Sequence, residues 1–483
     1  MIRRRYLKFP VETFKSIQLW VTITALTLAP LFFGSVDQLW VATWTILLAI
    51  STLCGLAAPM GIRQTRVMTG FLAVCFAYGL VAILQVVPHL IDQLDDPIWQ
   101  RANDLLGFNT LPRISSRAEI PPVAIGHFLL LVTSFMSGFF VGTSHRNADL
   151  LIWFARYSIL SYAAYGLVAL VLTPNMLLWA PKVAYQGSLT ATFVNHNTAA
   201  TFIGAGAILW FCVGFASLQS FQYSSIRLLL LSPSNEKLAF NLMLRLAAAL
   251  TCFLALLLTG SRGGLICSSL GLLAAIGLMI ANKLRPRLWS ILGWAGLALV
   301  VVAVWLSGAG RIGSHGLFDD GRWTVYGFCI EAIGQRPLLG AGAGTFADLF
   351  PSLRAADLSS WGVWDYAHST ILEMAVEMGI PIAAMVVIAA AASLFILVRA
   401  ALRSKDRSQT SLAAITGIAV LSYLHSIIDF SLQIPGYLIV FGILLGCGLA
   451  RASSEQTTVQ RARSGTSNFR EINRSSERPV SLT

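Results

Sequence analysis

An all-α, polytopic integral membrane protein is the fold class this sequence predicts, and three observations predict it. The 483 residues are 56% hydrophobic and only 12% charged, whereas an ordinary soluble domain is ~45–50% apolar and ~25% charged. Apolar runs of roughly 18 or more residues recur along the chain, each long enough to cross the ~30 Å of hydrocarbon in a bilayer. The Lys and Arg residues behind the formal charge of +12 are scattered over short loops and the two termini. Membrane orientation explains that scatter, and no nucleic-acid partner is expected. Of the seven cysteines only Cys329 lies outside an apolar run, so no disulfide framework or metal-ligand spacing is visible.

Taken in order, the runs predict helices at 17–33, 39–58, 68–87, 123–141, 150–172 and 193–218, then at 243–258, 264–281, 288–306, 380–398, 412–430 and 437–450. That is about twelve spans. The basic start, Met1-Ile-Arg-Arg-Arg-Tyr-Leu-Lys8, lacks a small-residue cleavage pattern and reads as a retained cytoplasmic anchor. Arg63 and Arg66, Arg146, Arg227 and Lys237, Lys283 with Arg285 and Arg287, and Arg403 with Lys405 and Arg407 then mark the cytoplasmic turns. Both termini are expected in the cytoplasm. The Ser- and Arg-rich tail, 451–483, is expected to be disordered. The expected organisation is N-terminal helices over 1–192, a catalytic region over 193–450 that includes a polar loop at 307–368, and that tail.

The same alternation puts every suggestive polar cluster on the outer face. Asn195-His196-Asn197 begins a helix there, and Thr259-Gly-Ser-Arg262-Gly-Gly264 is a tight turn between two spans. Arg322 opens an amphipathic run from Trp323 to Ile333 that suits a helix in the interface. A single outward arginine is equally a snorkelling side chain at a helix end. Two of them, Arg262 and Arg322, make a clamp for a lipid diphosphate, because guanidinium forks match phosphate oxygens in pairs.

His368 ends the polar loop just ahead of a helix in which Glu373 and Glu377 share a face, and it is expected to be exposed enough to accept a proton at neutral pH. A structural histidine is the plainer alternative. His425 and Asp429, four apart on one helical face, are either an oriented base or a satisfied intramembrane pair, the second being favoured. Gly340-Ala-Gly-Ala-Gly344 has no following Lys-Ser or Lys-Thr, so it is read as a turn and not as a phosphate cradle. The outer loops show no Asp-x-Asp pair and no Cys or His cluster, so no metal or other cofactor is expected and arginine must neutralise any bound diphosphate.

These motifs resemble the O-antigen ligase and O-antigen polymerase membrane proteins. The resemblance rests on Thr192-Phe-Val-Asn-His-Asn197, Leu258-Thr-Gly-Ser-Arg-Gly263, Gly321-Arg322 and Arg336-Pro-Leu-Leu-Gly340 with Gly342, Gly344 and Phe346. It rests most on His368-Ser369, nine residues, then Gly379, and it covers residues 193–436. It implies a GT-C-like fold and a metal-independent, inverting glycosyltransferase on the periplasmic face of the bacterial inner membrane. The donor would be a glycan on undecaprenyl diphosphate and the acceptor a glycan or glycolipid such as a lipid A core. By motif, Arg262 and Arg322 would hold the diphosphate and His368 would activate the acceptor hydroxyl, while Asn195, Asn197, His425 and Asp429 would shape the site. A repeat-unit polymerase of the same family fits the same residues. A transporter or flippase of lipid-linked glycans is the alternative of another class, although it should carry polar groups near the midplane and on both sides.

Overall fold

The computed structural model describes residues 8–107, 109–220, 236–281, 320–353 and 364–454. Within them the chain is almost wholly helical. The N-terminal part runs α1 (Lys8–Leu28), α2 (Gln38–Gly55), α3 (Ile62–Val86), a short α4 (Pro97–Leu106), α5 (Pro122–Gly142) and α6 (His145–Leu172). A two-stranded antiparallel hairpin, β1 (Met176–Leu177) with β2 (Ala180–Pro181), leads into α7 (His196–Ser220). Then come α8 (Glu236–Leu258), α9 (Arg262–Ile280), α10 (Asp320–Gln335), α11 (Phe346–Leu353), α12 (Thr370–Arg403), α13 (Asp406–Ile428) and α14 (Pro435–Ser454).

Ten of the described helices are long and apolar enough to cross a membrane. They coincide with the expected runs, and α1, which ends at Leu28 and so covers only part of the run expected at 17–33, is not among the ten. The run expected at 288–306 lies outside the described residues. The chain is thus a multi-pass, all-α membrane protein. Five of the described helices start on a side-chain cap. Asp37, Asp96, Ser144, Ser261 and Ser369 each accept a hydrogen bond from a backbone N–H of the first turn, satisfying donors that the helix itself leaves open.

The core lies among α7, α13 and α14, and 94% of α14's apolar stretch is buried. Small residues let it be so central. A Cβ at Gly138 or Gly446 would land on the backbone of the facing helix, the close approach that holds helices together where hydrophobicity cannot drive association. The tail does not begin where composition places it. Arg451 is still helical and buried, bound to Asp149, and the helix continues to Ser454; residues 455–483 lie outside the described residues.

A second, smaller core caps one end of the bundle. Val325 and Cys329 of α10, Phe346 and Phe350 of α11, Ala367 and Val376 pack together there. The segment 89–122 braces this cap, with Arg336 on Asp96, Arg117 on Asp348 and the Ser116 N–H on the Ala341 carbonyl. Helix α4 within that segment was not foreseen. Gln85, at the end of α3, donates to the carbonyls of Leu339 and Glu377 and accepts from the Ala343 N–H. The opposite end gathers Gln64, Asp149, Ser408, Gln409 and Arg451.

Candidate active site

Helix α13 ends at Ile428, and Asp429 is extended, with φ −158° and ψ 171°. The expected i,i+4 face joining His425 to Asp429 is therefore absent. Local hydrogen bonding explains the break. One Asp429 oxygen, Oδ1, accepts from the Phe430 N–H at 2.9 Å and from the Ser431 hydroxyl at 3.1 Å, a local alternative to continuing the helix. His425 Nδ1 instead meets the hydroxyls of Thr201 at 2.7 Å and Ser431 at 3.1 Å. The two residues are linked through Ser431 and not to each other.

The other Asp429 oxygen, Oδ2, is the meeting point. Asn197 Nδ2 donates to it at 2.7 Å, Arg322 Nη2 stands 3.8 Å away and His368 Nδ1 4.0 Å away. Asp429 is 1% exposed. Burial alone would push its carboxyl up. The His368 imidazole on it, with His425 and Arg322 adding to the effect, outweighs burial and brings it down to about 2.

Each partner is held by its own local structure. Asn195 Oδ1 accepts from the Asn197 N–H at 2.7 Å, fixing the first turn of α7. Between them His196 meets the Thr259 carbonyl at 2.8 Å and stacks on Tyr185, tying this turn to the one before Arg262. Arg262 is the first residue of α9, and a Cβ on the next residue, Gly263, would sit 3.4 Å from His425 Nε2. Arg322 Nη1 donates to the Ile428 carbonyl at 3.0 Å, a cation at the C-terminal end of α13. Thr370 Oγ1 donates to the Asp429 carbonyl at 3.2 Å.

His368 has φ +55°, a left-handed conformation that is uncommon for a residue with a Cβ and persists only where its surroundings enforce it. Tyr326 donates to its carbonyl at 2.8 Å, Glu373 accepts from the Ala367 N–H at 2.7 Å, and Trp364 and Phe430 flank its ring edge-on at 5.2 and 4.8 Å. Its Nδ1 is buried without a hydrogen-bond partner.

The spacing from His368 to Gly379 now has a physical account. Ser369 caps α12, residues 370–378 form its first stretch, and Gly379 breaks it with φ +79°. A Cβ at Gly379 would lie 2.3 Å from the Leu338 carbonyl oxygen, so only glycine allows the 337–344 turn to dock. That docking consumes the turn's donors. The N–H groups of Ala341, Gly342 and Ala343 go to Val376, Glu377 and Gln85, which agrees with a structural turn and leaves them unavailable to a phosphate.

The structure therefore gathers Asn197, Arg322, His368 and Asp429 directly, His425 through Ser431, Asn195 through Asn197, and Arg262 one residue from His425's neighbour. Thr201 and Ser431 were missed. Thr201 carries a signal, lying four residues after Asn197 on the same helical face. Among the described residues, ligand atoms of His89, Asp92 and Asp95 lie within 4.8 Å of one another. The group is neither an Asp-x-Asp pair nor a Cys or His cluster, and it was not foreseen. His89 and Asp92 are exposed and pair at 3.7 Å, while Asp95 is half-buried.

A search of the curated proteins finds no match to this chain. Residues 247–387 match the family described as O-Antigen ligase, a stretch that contains Arg262, Arg322, His368 and Gly379 but stops short of Asp429. That family implies a glycosyltransferase-like enzyme of polysaccharide biosynthesis. Over residues 247–387 the chain is thus similar to the O-antigen ligase family, within a multi-pass, all-α membrane protein.

Proposed function

We propose that the protein moves a glycan from undecaprenyl diphosphate onto an acceptor hydroxyl, of the lipid A core type, at the periplasmic face of the bacterial inner membrane. One observation carries this: His368 and Arg322, a proton acceptor and a phosphate-matching cation, face the same buried carboxylate from opposite stretches of chain. The family match supports the same chemistry. Orientation is supported by the gathering of basic turns, Arg403 to Arg407 and Arg451 among them, at the end of the bundle away from these residues.

In this mechanism Asp429 faces Nδ1 of His368 and favours the tautomer that carries its proton there, so Nε2 is the base. The acceptor oxygen attacks the anomeric carbon from the side opposite the leaving group. Its proton passes to Nε2, the glycosidic C–O bond to the diphosphate breaks, and the electron pair leaves with the lipid diphosphate. Arg322 and Arg262 stabilise the charge that builds on those phosphate oxygens. No divalent ion is required for that neutralisation.

The decisive experiment is transfer from a lipid-linked donor by purified membranes containing His368→Ala, paired with donor binding and expression level. Donor bound as in the wild type with transfer lost is the expected result. Normal turnover in folded His368→Ala protein would overturn the assignment.

A further inference from the structure

Two arginines depart from the rule that basic residues keep to loops. Arg156 stands eleven residues into α6 (His145–Leu172), and Arg245 stands nine into α8 (Glu236–Leu258). At 1.5 Å per residue this places them ~16 and ~14 Å along their helices. Both helices start at the basic end of the bundle, and helical side chains lean towards the N-terminus, so both guanidiniums lean back towards that end. Trp153 and Tyr157, each 40% exposed, lie beside Arg156 in α6, the aromatic signature of a bilayer interface.

Neither arginine has an acid among the described residues. Asp149, two turns before Arg156, is already taken by Arg451 at 2.6 Å and Arg407 at 3.4 Å. The Arg156 guanidinium lies over the rings of Tyr157 and Trp210, at 5.4 and 5.1 Å, and its Nε is buried without a hydrogen-bond partner. Trp210 is fixed in turn by donating Nε1 to the Arg156 carbonyl at 2.9 Å. Arg245 Nη1 donates to the Ser217 hydroxyl. Trp210 and Ser217 are seven apart, hence on one face of α7, so both cations are brought to the same side of that helix.

Ring contacts and snorkelling account for one such arginine. They do not account for two cations brought to one side of the same helix, one with an unused buried donor. An anion shared between them would offset their like charge. The geometry points to a second anion site, distinct from the catalytic end, formed by Arg156, Arg245 and Ser217 at headgroup level in the leaflet of the basic end. Its ligand is the phosphate of an anionic glycerophospholipid. The phosphate is singly charged, sits at that depth in every such leaflet, and presents oxygens that two guanidinium forks can share.

The test uses the full chain, delipidated in neutral detergent and incubated with mixed micelles of equal phosphatidylglycerol and phosphatidylcholine, the retained lipid being read by native mass spectrometry. The wild type is expected to prefer phosphatidylglycerol by about ten-fold, because phosphatidylcholine presents the same phosphate beside its own ammonium and so brings no net charge to offset the two cations. Arg156→Gln/Arg245→Gln should bring the ratio close to one. Ser217→Ala, which keeps both cations, should lower it by about three-fold and keeps the test open if the double variant does not fold. A parallel arm measures thermal protection by phosphatidylglycerol vesicles and by inorganic phosphate. Greater protection from the vesicles, lost in the variants, supports the lipid site. Equal protection by inorganic phosphate alone, or an unchanged lipid preference in the double glutamine variant, overturns it.

Discussion

Asp149 and Asp429 are both carboxylates facing two basic side chains at an end of the bundle, yet they are satisfied in opposite ways. Asp149 is closed by its cations, with Arg451 at 2.6 Å and Arg407 at 3.4 Å. Asp429 is closed by neutral donors, Asn197, Ser431 and the Phe430 N–H, while Arg322 and His368 stand off at 3.8 and 4.0 Å. A carboxylate that spends its lone pairs on its cations makes a clamp. One held by neutral donors keeps its charge in place beside a cation and an imidazole. In the proposed mechanism the first arrangement serves stability and the second serves chemistry.

The sharpest way to break this comparison is to neutralise each acid without changing its shape. Asp429→Asn should lower transfer by about 10²- to 10⁴-fold, as His368→Ala should, because the base loses the charge that orients it. Donor binding and expression should persist. A loss of folding in place of rate would make Asp429 a clamp like Asp149. Asp149→Asn is expected to do the reverse, leaving the rate per folded molecule intact and lowering stability by about 3 kcal/mol, since Arg451 is left buried without its charge partner. Unfolding in detergent, followed by thermal melting, measures it.

A third difference concerns acid. The Asp429 carboxyl is depressed to about 2, below the ~3.9 of an unfolded aspartate. A depressed acid stabilises the fold fully above its unfolded value and loses that contribution as pH falls through its folded value. Roughly 2–3 kcal/mol should therefore disappear between about pH 4 and pH 2. That acid limb should be missing from Asp429→Asn.

Smaller effects belong to the arginines. Arg322→Lys and Arg262→Lys keep the charge but lose the planar fork, and each should weaken donor binding by about ten-fold with His368 chemistry intact. Unchanged donor binding in both would remove the clamp from the mechanism. The smallest expected effect is none at all: transfer should survive excess chelator, and Asp92→Asn should leave it unchanged. Activity restored only by added magnesium or manganese would move the neutralising role from the arginines to a metal.

Much of this was legible before any coordinates. Span lengths follow from the thickness of hydrocarbon, so apolar runs alone determined an all-α, multi-pass fold and the approximate helix positions. Local chemistry was equally readable. Arg262, Arg322 and His368 were placed at element ends, where the structure also has them, and the caps at Ser261 and Ser369 and the break at Gly379 that set those ends act within a few residues. The hub of the site was not readable in this way. Sequence pattern placed Asp429 one helical turn beyond His425, and nothing in Asp-Phe-Ser announces that the aspartate leaves the helix to bond Phe430 and Ser431. Its partners lie 232, 107 and 61 positions away, at Asn197, Arg322 and His368. The Arg156–Trp210–Arg245 grouping was hidden for the same reason, since a basic residue inside an apolar run is indistinguishable from a snorkelling one until its neighbours are known. Periodicity and capping act along the chain, whereas charge compensation in a low-dielectric interior acts across it, and only the packing of the helices decides which charges meet.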